Sequence, residues 1–130
     1  MTSITQPPLS RYHGRNRVLL VLSPTTGSGC VARQREALAS AQAGLRERGV
    51  VVIWAAGSTV TVEGGERLLD LDSRSLAYAY GVKPGEAFQA LLIGKDGTVK
   101  LRVGEPVPAE RLFELIDGMP MRQREMQAQG

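Results

Sequence analysis

The sequence holds little of what most catalytic and metal-binding chains are built from. Of 130 residues one is cysteine, Cys30, and one is histidine, His13. A lone cysteine excludes an intrachain disulfide, a paired-thiol redox motif and any zinc site built from cysteines. A lone histidine leaves no His-rich metal site and makes any Ser-His-Asp triad depend on a residue near the amino terminus. Aromatic residues number six, and only Tyr12 lies near the basic run RYHGRNR, Arg11 to Arg17. The interleaved basic and aromatic stripe of a nucleic-acid surface is therefore missing, and nucleic acid is a disfavoured partner. No window approaches the roughly 18 consecutive apolar residues of a membrane helix. Near the amino terminus the apolar run Val18 to Leu22 stops at Ser23-Pro24, short of the roughly 7 to 15 residues of a secretory signal. With Met1 as the natural start, the expectation is a cytoplasmic protein without a membrane partner.

What is present describes an ordinary globule. Hydrophobic residues make up 42% and charged residues 22%, enough for one domain with a core that needs no metal or disulfide. Residues 1–62 carry seven Lys/Arg and two acids, 63–80 carry two and four, and 81–130 carry seven of each. The positive excess thus sits in the first half, where the run from Arg11 to Arg17 reads as a solvated basic arm.

Residues 1–14, with Pro7, Pro8 and Gly14, show no periodicity and read as a flexible arm. A single domain over 15–126 and a tail over 127–130 are expected to follow. Val18 to Leu22 and Val50 to Trp54 are continuous apolar runs, the pattern of strands covered on both faces. Between them Val31, Leu38, Ala41 and Leu45 are spaced for one buried helix face, reaching Arg48 and a left-handed cap at Gly49. Strand, helix, strand over so few residues is a parallel crossover. Thr59 to Glu63 with Gly64-Gly65 predicts a short hairpin toward Leu68 to Leu71, and Ser73 can cap a short helix ending at Gly81. Phe88 to Ile93 is a third apolar strand, Asp96-Gly97 a hairpin turn, and Val99, Leu101 and Val103 alternate in the strand beyond. Pro108 opens a last helix with Leu112, Leu115 and Ile116 inward, closed by Gly118 and Pro120. The order β-α-β, short helix, β-β-α is that of an α/β, thioredoxin-like fold with a central mixed sheet flanked by helices.

Several segments resemble one family. LIGKDG (Leu92 to Gly97), the VKLR step (Val99 to Arg102) and IDGMPMR (Ile116 to Arg122) are joined upstream by RNRVLLVLSP (Arg15 to Pro24), Gln34 and RERGVVVI (Arg46 to Ile53). Over about residues 10 to 126 the chain resembles the uncharacterised thioredoxin-like family called domain of unknown function 4174. The resemblance implies a thioredoxin-like fold, seen in bacterial proteins and as a domain in some animal extracellular-matrix proteins. It implies no established reaction.

Cys30 has the one mechanistic case that rests on position. After the first strand and at the start of the first helix, backbone N–H groups and the helix dipole favour a thiolate. In a C-x-x-C register, however, the first position is Gly27. Counting seven from Pro24, as in the peroxiredoxin pattern P-x-x-x-[ST]-x-x-C, reaches Val31, one beyond the cysteine. No proline stands beside Phe88 and Gln89 to supply a cis peptide facing the thiol, and Pro84 comes early. The glycines at 27 and 29 match G-x-G-x-x-A. Ser23 to Thr26 intervene after the strand, and the second strand ends in Trp54-Ala55-Ala56 without the ribose-binding acid, so a dinucleotide site fails. What survives is a helix start where Thr25, Thr26, Gly27, Ser28 and Gly29 could hold a small anion. Glu63, Glu66, Asp70 and Asp72 fit no metal-loop spacing. Met119, Met121 and Arg122, just past the last helix, form a candidate interaction surface.

The expectation is a non-catalytic module that binds a protein partner or itself, with apolar edge residues Val99 and Val103 permitting self-association. No cofactor and no metal are expected. The alternatives are a single-cysteine thiol- or peroxide-reacting enzyme at Cys30, and small-anion or nucleotide binding at Thr25 to Gly29.

Overall fold

A computed structural model describes residues 9–24, 29–83 and 87–129. The apolar runs become strands because β-branched and leucine side chains suit a pleated surface covered on both sides. β1 (Arg17–Ser23), β2 (Val50–Ala56), β3 (Thr59–Val62), β4 (Gln89–Ile93) and β5 (Val99–Val103) form one sheet in the order β3-β2-β1-β4-β5. β1 and β2 run parallel and the other neighbours antiparallel. This is the mixed, helix-flanked sheet of a thioredoxin-like α/β fold.

Alternation along each strand sorts the core into two layers. Leu19, Val21, Val52, Trp54, Ala90 and Leu92 face α1 (Gly29–Ala39), α2 (Gln42–Glu47) and α4 (Ala109–Asp117), which contribute Val31, Leu38, Leu45, Leu112 and Ile116. Val18, Leu20, Leu22, Ile53, Ala55, Leu91 and Ile93 face the other way, under Leu76 of α3 (Ser73–Ala79), Val82 and Leu9. Burying each such side chain contributes about 1.5 to 3 kcal/mol. Gln34, fully buried on α1, is satisfied by a two-way amide pair with the Val107 backbone at 2.9 and 2.8 Å, tying the first helix to the segment before α4.

Four expectations need correction. The helix after β1 is two helices: Gln42 Nε2 donates to the Leu38 carbonyl at 3.0 Å, and the chain turns so that Gly44 lies against the Phe113 ring of α4. A Cβ at 44 would sit 2.6 Å from that ring. The hairpin expected between 59–63 and 68–71 forms but is shorter: it turns at Gly64-Gly65, bridges Thr61 to Arg67, and is held by the Val62 N–H on the Glu66 carbonyl at 2.7 Å and the Leu68 N–H on the Val60 carbonyl at 2.8 Å, while the main partner of β3 is β2. Asp72, not Ser73, caps α3, accepting from the Arg74 N–H at 2.9 Å. Residues 9–14, expected in the flexible arm, are laid into the fold: Leu9 is fully buried, Ser10–Tyr12 form a 3-10 turn, and Gly14 donates to the Lys95 carbonyl.

The β4–β5 turn is as expected. Gly97 takes a left-handed φ of +83°, and the Asp96 carboxylate accepts from the Thr98 N–H at 3.0 Å. That bond, with further hydrogen bonds from Lys100 and the Thr98 hydroxyl, lowers the Asp96 carboxyl to about 2. α4 is opened by Pro108 and closed by Gly118, as the sequence suggests. A fifth helix, α5 (Pro120–Gln129), then follows without any signal from apolar periodicity. Among the described residues no helix is long and apolar enough to cross a membrane.

Candidate functional site

β1 carries a candidate site at each end, separated by a strand of about 20 Å. At its carboxyl end Cys30 lies in the first turn of α1, half-buried against the α1–α4 layer. One helical turn on, Arg33 Nη2 donates to Sγ at 3.4 Å. Arg17 and Arg122, which could have surrounded the thiol, lie elsewhere. Of the proposed anion loop, Thr25, Thr26, Gly27 and Ser28 lie outside the described residues, and Gly29 begins α1 with open space where a side chain would be. Pro84 also lies outside them, and among the described residues no peptide bond is cis. Three of the acids that fit no metal-loop spacing have separate partners: Glu63 accepts from Trp54 Nε1, Asp70 pairs with Arg11, and Asp72 caps α3. Among the described residues no three His, Cys, Asp or Glu side chains are placed to hold a metal.

At the amino end of β1 the structure assembles an ion network that periodicity could not reveal. Arg17, 1% exposed, reaches Glu125 of α5 with both terminal nitrogens at 3.2 Å and donates to the Arg48 carbonyl at 2.8 Å. Lys95, in the turn after β4, holds the same carboxylate at 2.6 Å. Arg48 lies over the Phe113 ring and grips Asp117 with two bonds of 2.9 Å. Arg122, 2% exposed, donates from Nε to Asp117 at 3.2 Å and from Nη1 to the Glu47 carbonyl at 3.4 Å. The Arg48 hydrogen bond, opposed by burial and supported by Arg122, brings the Asp117 carboxyl below its ordinary value. Burial pushes Glu125 up, but the hydrogen bonds and charges of Lys95 and Arg17 outweigh it and leave Glu125 low as well.

The expected surface trio is thereby divided. Arg122 is buried as an internal tie to Asp117 and the Glu47 carbonyl, because the segment past α4 forms α5 and turns this side chain inward. Met119 is half-buried and Met121 is 41% exposed. Both line an open groove of about 620 Å³ with Leu115, Pro120, Lys95 and Lys100, and Arg17 reaches its floor. Sequence reasoning missed Arg48, Lys95, Asp117 and Glu125 as one cluster. The available signal was that LIGKDG, IDGMPMR, RNRVLLVLSP and RERGVVVI each contribute one or more residues to it.

The fold is that of a thioredoxin-like domain, and the chain carries a single thiol. The chain belongs to the family described as Domain of unknown function (DUF4174), whose model matches residues 8–125. It is 28% identical over 137 residues to Coiled-coil domain-containing protein 80 of Danio rerio, which covers 93% of this chain and 16% of that protein. It is 32% identical over 124 residues to Sushi repeat-containing protein SRPX of Rattus norvegicus, covering 91% and 26%. The chain thus spans about a quarter or less of these curated relatives. Among solved structures, Plasmodium yoelii thioredoxin peroxidase I aligns with a TM-score of 0.63 at 20% identity, covering 89% of this chain and 79% of that one. A second, Plasmodium yoelii Prx1a modified at the N-terminus, aligns at 0.57 and 20% identity, covering 89% and 80%. At this identity the likeness is one of fold.

Proposed function

We propose that this domain is a non-catalytic binding module that docks a protein partner or a second copy of itself along the groove of Leu115, Met119 and Met121. The observation that carries this reading is the groove itself. Its apolar floor is made of flexible thioethers suited to varied surfaces, and its walls are fixed by the buried Arg17–Glu125 and Arg122–Asp117 ties. Most of its lining comes from the segments that carry the family resemblance. A photoreactive residue at Met121 tests it, with one at Tyr78, exposed on another element, as control. A cross-linked product of discrete mass from position 121 alone is expected. Equal or absent cross-linking at both positions would sink the reading.

Arg33 beside the Cys30 thiol favours a second reading, a single-cysteine enzyme that reacts with peroxide, the substrate class implied by the name of the thioredoxin peroxidase neighbour. In it the thiolate attacks the peroxide O–O bond and becomes sulfenic acid as water or alcohol leaves; one external thiol condenses with the sulfenic acid, releasing water and forming a mixed disulfide, and a second external thiol displaces that disulfide to restore the cysteine. Sulfenic-acid trapping separates the two. The binding-module reading expects Cys30 in the folded chain to react no faster than in the denatured chain, and a large folded-state acceleration would favour the enzyme.

A further inference from the structure

We propose that α5 exchanges between two copies of this chain, the helix of each closing the amino end of β1 in the other. α5 is joined to the domain only through Gly118 and Met119, which lie between the end of α4 and Pro120. None of its described side chains enters either apolar layer, so it lifts away without opening the core.

The seat it leaves defines the occupant. That seat offers two cations, Arg17 and Lys95, which hold the Glu125 carboxylate, and two acids, Glu47 and Asp117, which lie 3.7 and 3.2 Å from the Arg122 guanidinium. A helix that fits must carry an acid for the first pair and a forked cation for the second, close together on one face. α5 carries them one turn apart, as Arg122 and Glu125, with 3.8 Å between the charged groups. A purely acidic segment would meet Glu47 and Asp117 with charge of its own sign, and a purely basic one would do so at Arg17 and Lys95. A second copy of α5 matches both halves.

With α5 lifted, buried Arg17 keeps the Arg48 carbonyl but loses both bonds to Glu125. The open chain is therefore driven to close, and closing on a neighbour's α5 makes the same bonds as closing on its own. Two crossed helices fill two seats at once, so the dimer restores every tie that two opened chains give up. The exchange costs only the association itself and a reshaped two-residue hinge. It does not depend on the groove as a docking surface.

Sedimentation of the full chain, combined with hydrogen exchange in α5, tests the proposal. The wild-type chain should pass from monomer toward dimer as its concentration rises to about 1 mM, with α5 protected in both forms. Deleting Gly118 and Met119 denies α5 its own seat and should tighten the dimer by about tenfold or more, whereas lengthening the hinge with a Gly-Ser repeat should leave monomer. Arg17→Glu and Glu125→Arg each break the pairing within a chain, and mixing them restores it only between chains. Each alone should be a monomer with unprotected α5, and the mixture should form a one-to-one dimer in which α5 is protected again. The hinge variants keep the seat intact and decide the matter if Arg17→Glu does not fold. A wild-type chain that stays monomeric at millimolar concentration, a hinge deletion that is monomeric with α5 unprotected, a lengthened hinge that dimerises as readily as wild type, or a folded charge-reversed pair that does not dimerise on mixing would each overturn the proposal.

Discussion

The last two helices are neighbours in sequence and are held by opposite means. α4 turns Ala109, Leu112 and Ile116 into the core at helical spacing and is opened and closed by Pro108 and Gly118. α5 has no apolar face: Met121 and Met126 are exposed, and Arg122 is the one buried side chain among those described. At ten residues α5 falls below the roughly 12 to 15 at which an isolated helix holds in water. Its attachment comes instead from Glu125 on Arg17 and Lys95, and from Arg122 on Asp117 and Glu47. An apolar face stabilises by area and tolerates small shifts. An ion pair made by a buried arginine adds less net stability but demands one geometry, and because Glu125 and Asp117 keep 28% and 35% exposure, losing one partner costs less than it would in a sealed core. The pairing therefore places α5 in register beside the Met119–Met121 groove more than it adds to the global stability of the domain.

The contrast can be broken at α4 first. Leu112→Ala removes a fully buried side chain and should cost about 2 to 5 kcal/mol in denaturant unfolding, shifting the whole transition. A loss below about 1 kcal/mol would mean that α4 is not the apolar anchor. Arg17→Met should cost less, about 1 to 3 kcal/mol, because Lys95 still faces Glu125. Its signature is local: hydrogen exchange should quicken in α5 well before α4, and equal changes in both would deny that α5 is held separately.

Acid should sharpen the same difference. Asp117 and Glu125 have folded values below the ordinary 3.8 and 4.5, so their contribution is complete above those values. It is lost as pH falls through the lower folded values, because the unfolded chain then binds more protons. Amide NMR on acidification should show α5 releasing while α4 stays protected, and simultaneous loss would contradict the assignment. The smallest effect is that of salt. At about 1 M, where the screening length is roughly 3 Å, α5 protection should fall modestly and α4 protection should hold. If salt loosens α4 as much as α5, the division between the two helices fails.

Much of the fold could be read from residue order. The runs at Val18 and Val50, the Asp96-Gly97 turn and the stripe of α4 are local patterns of burial, and burial repeats with the period of the element that achieves it. The break at Ser40-Ala41 was not legible, since it depends on Gly44 meeting Phe113 from a helix more than sixty residues away. The position of Cys30 was foreseeable, and so was the lack of a second thiol. Its Arg33 neighbour follows from helical spacing, one turn on. The groove was only half legible: Met119 and Met121 stood out by type, whereas Arg122 looked external because nothing in IDGMPMR says that a helix follows and turns inward.

By itself, then, the sequence determined the five strands, a helical connection between the two parallel ones, the apolar helix near the carboxyl end and the presence of a single thiol in the chain. Tertiary structure decided where the charges went. Arg17 meets Glu125 across 108 residues and Arg48 meets Asp117 across 69. An ion pair has no period along the chain, only a distance in space, so it exists only once the sheet has brought its partners together.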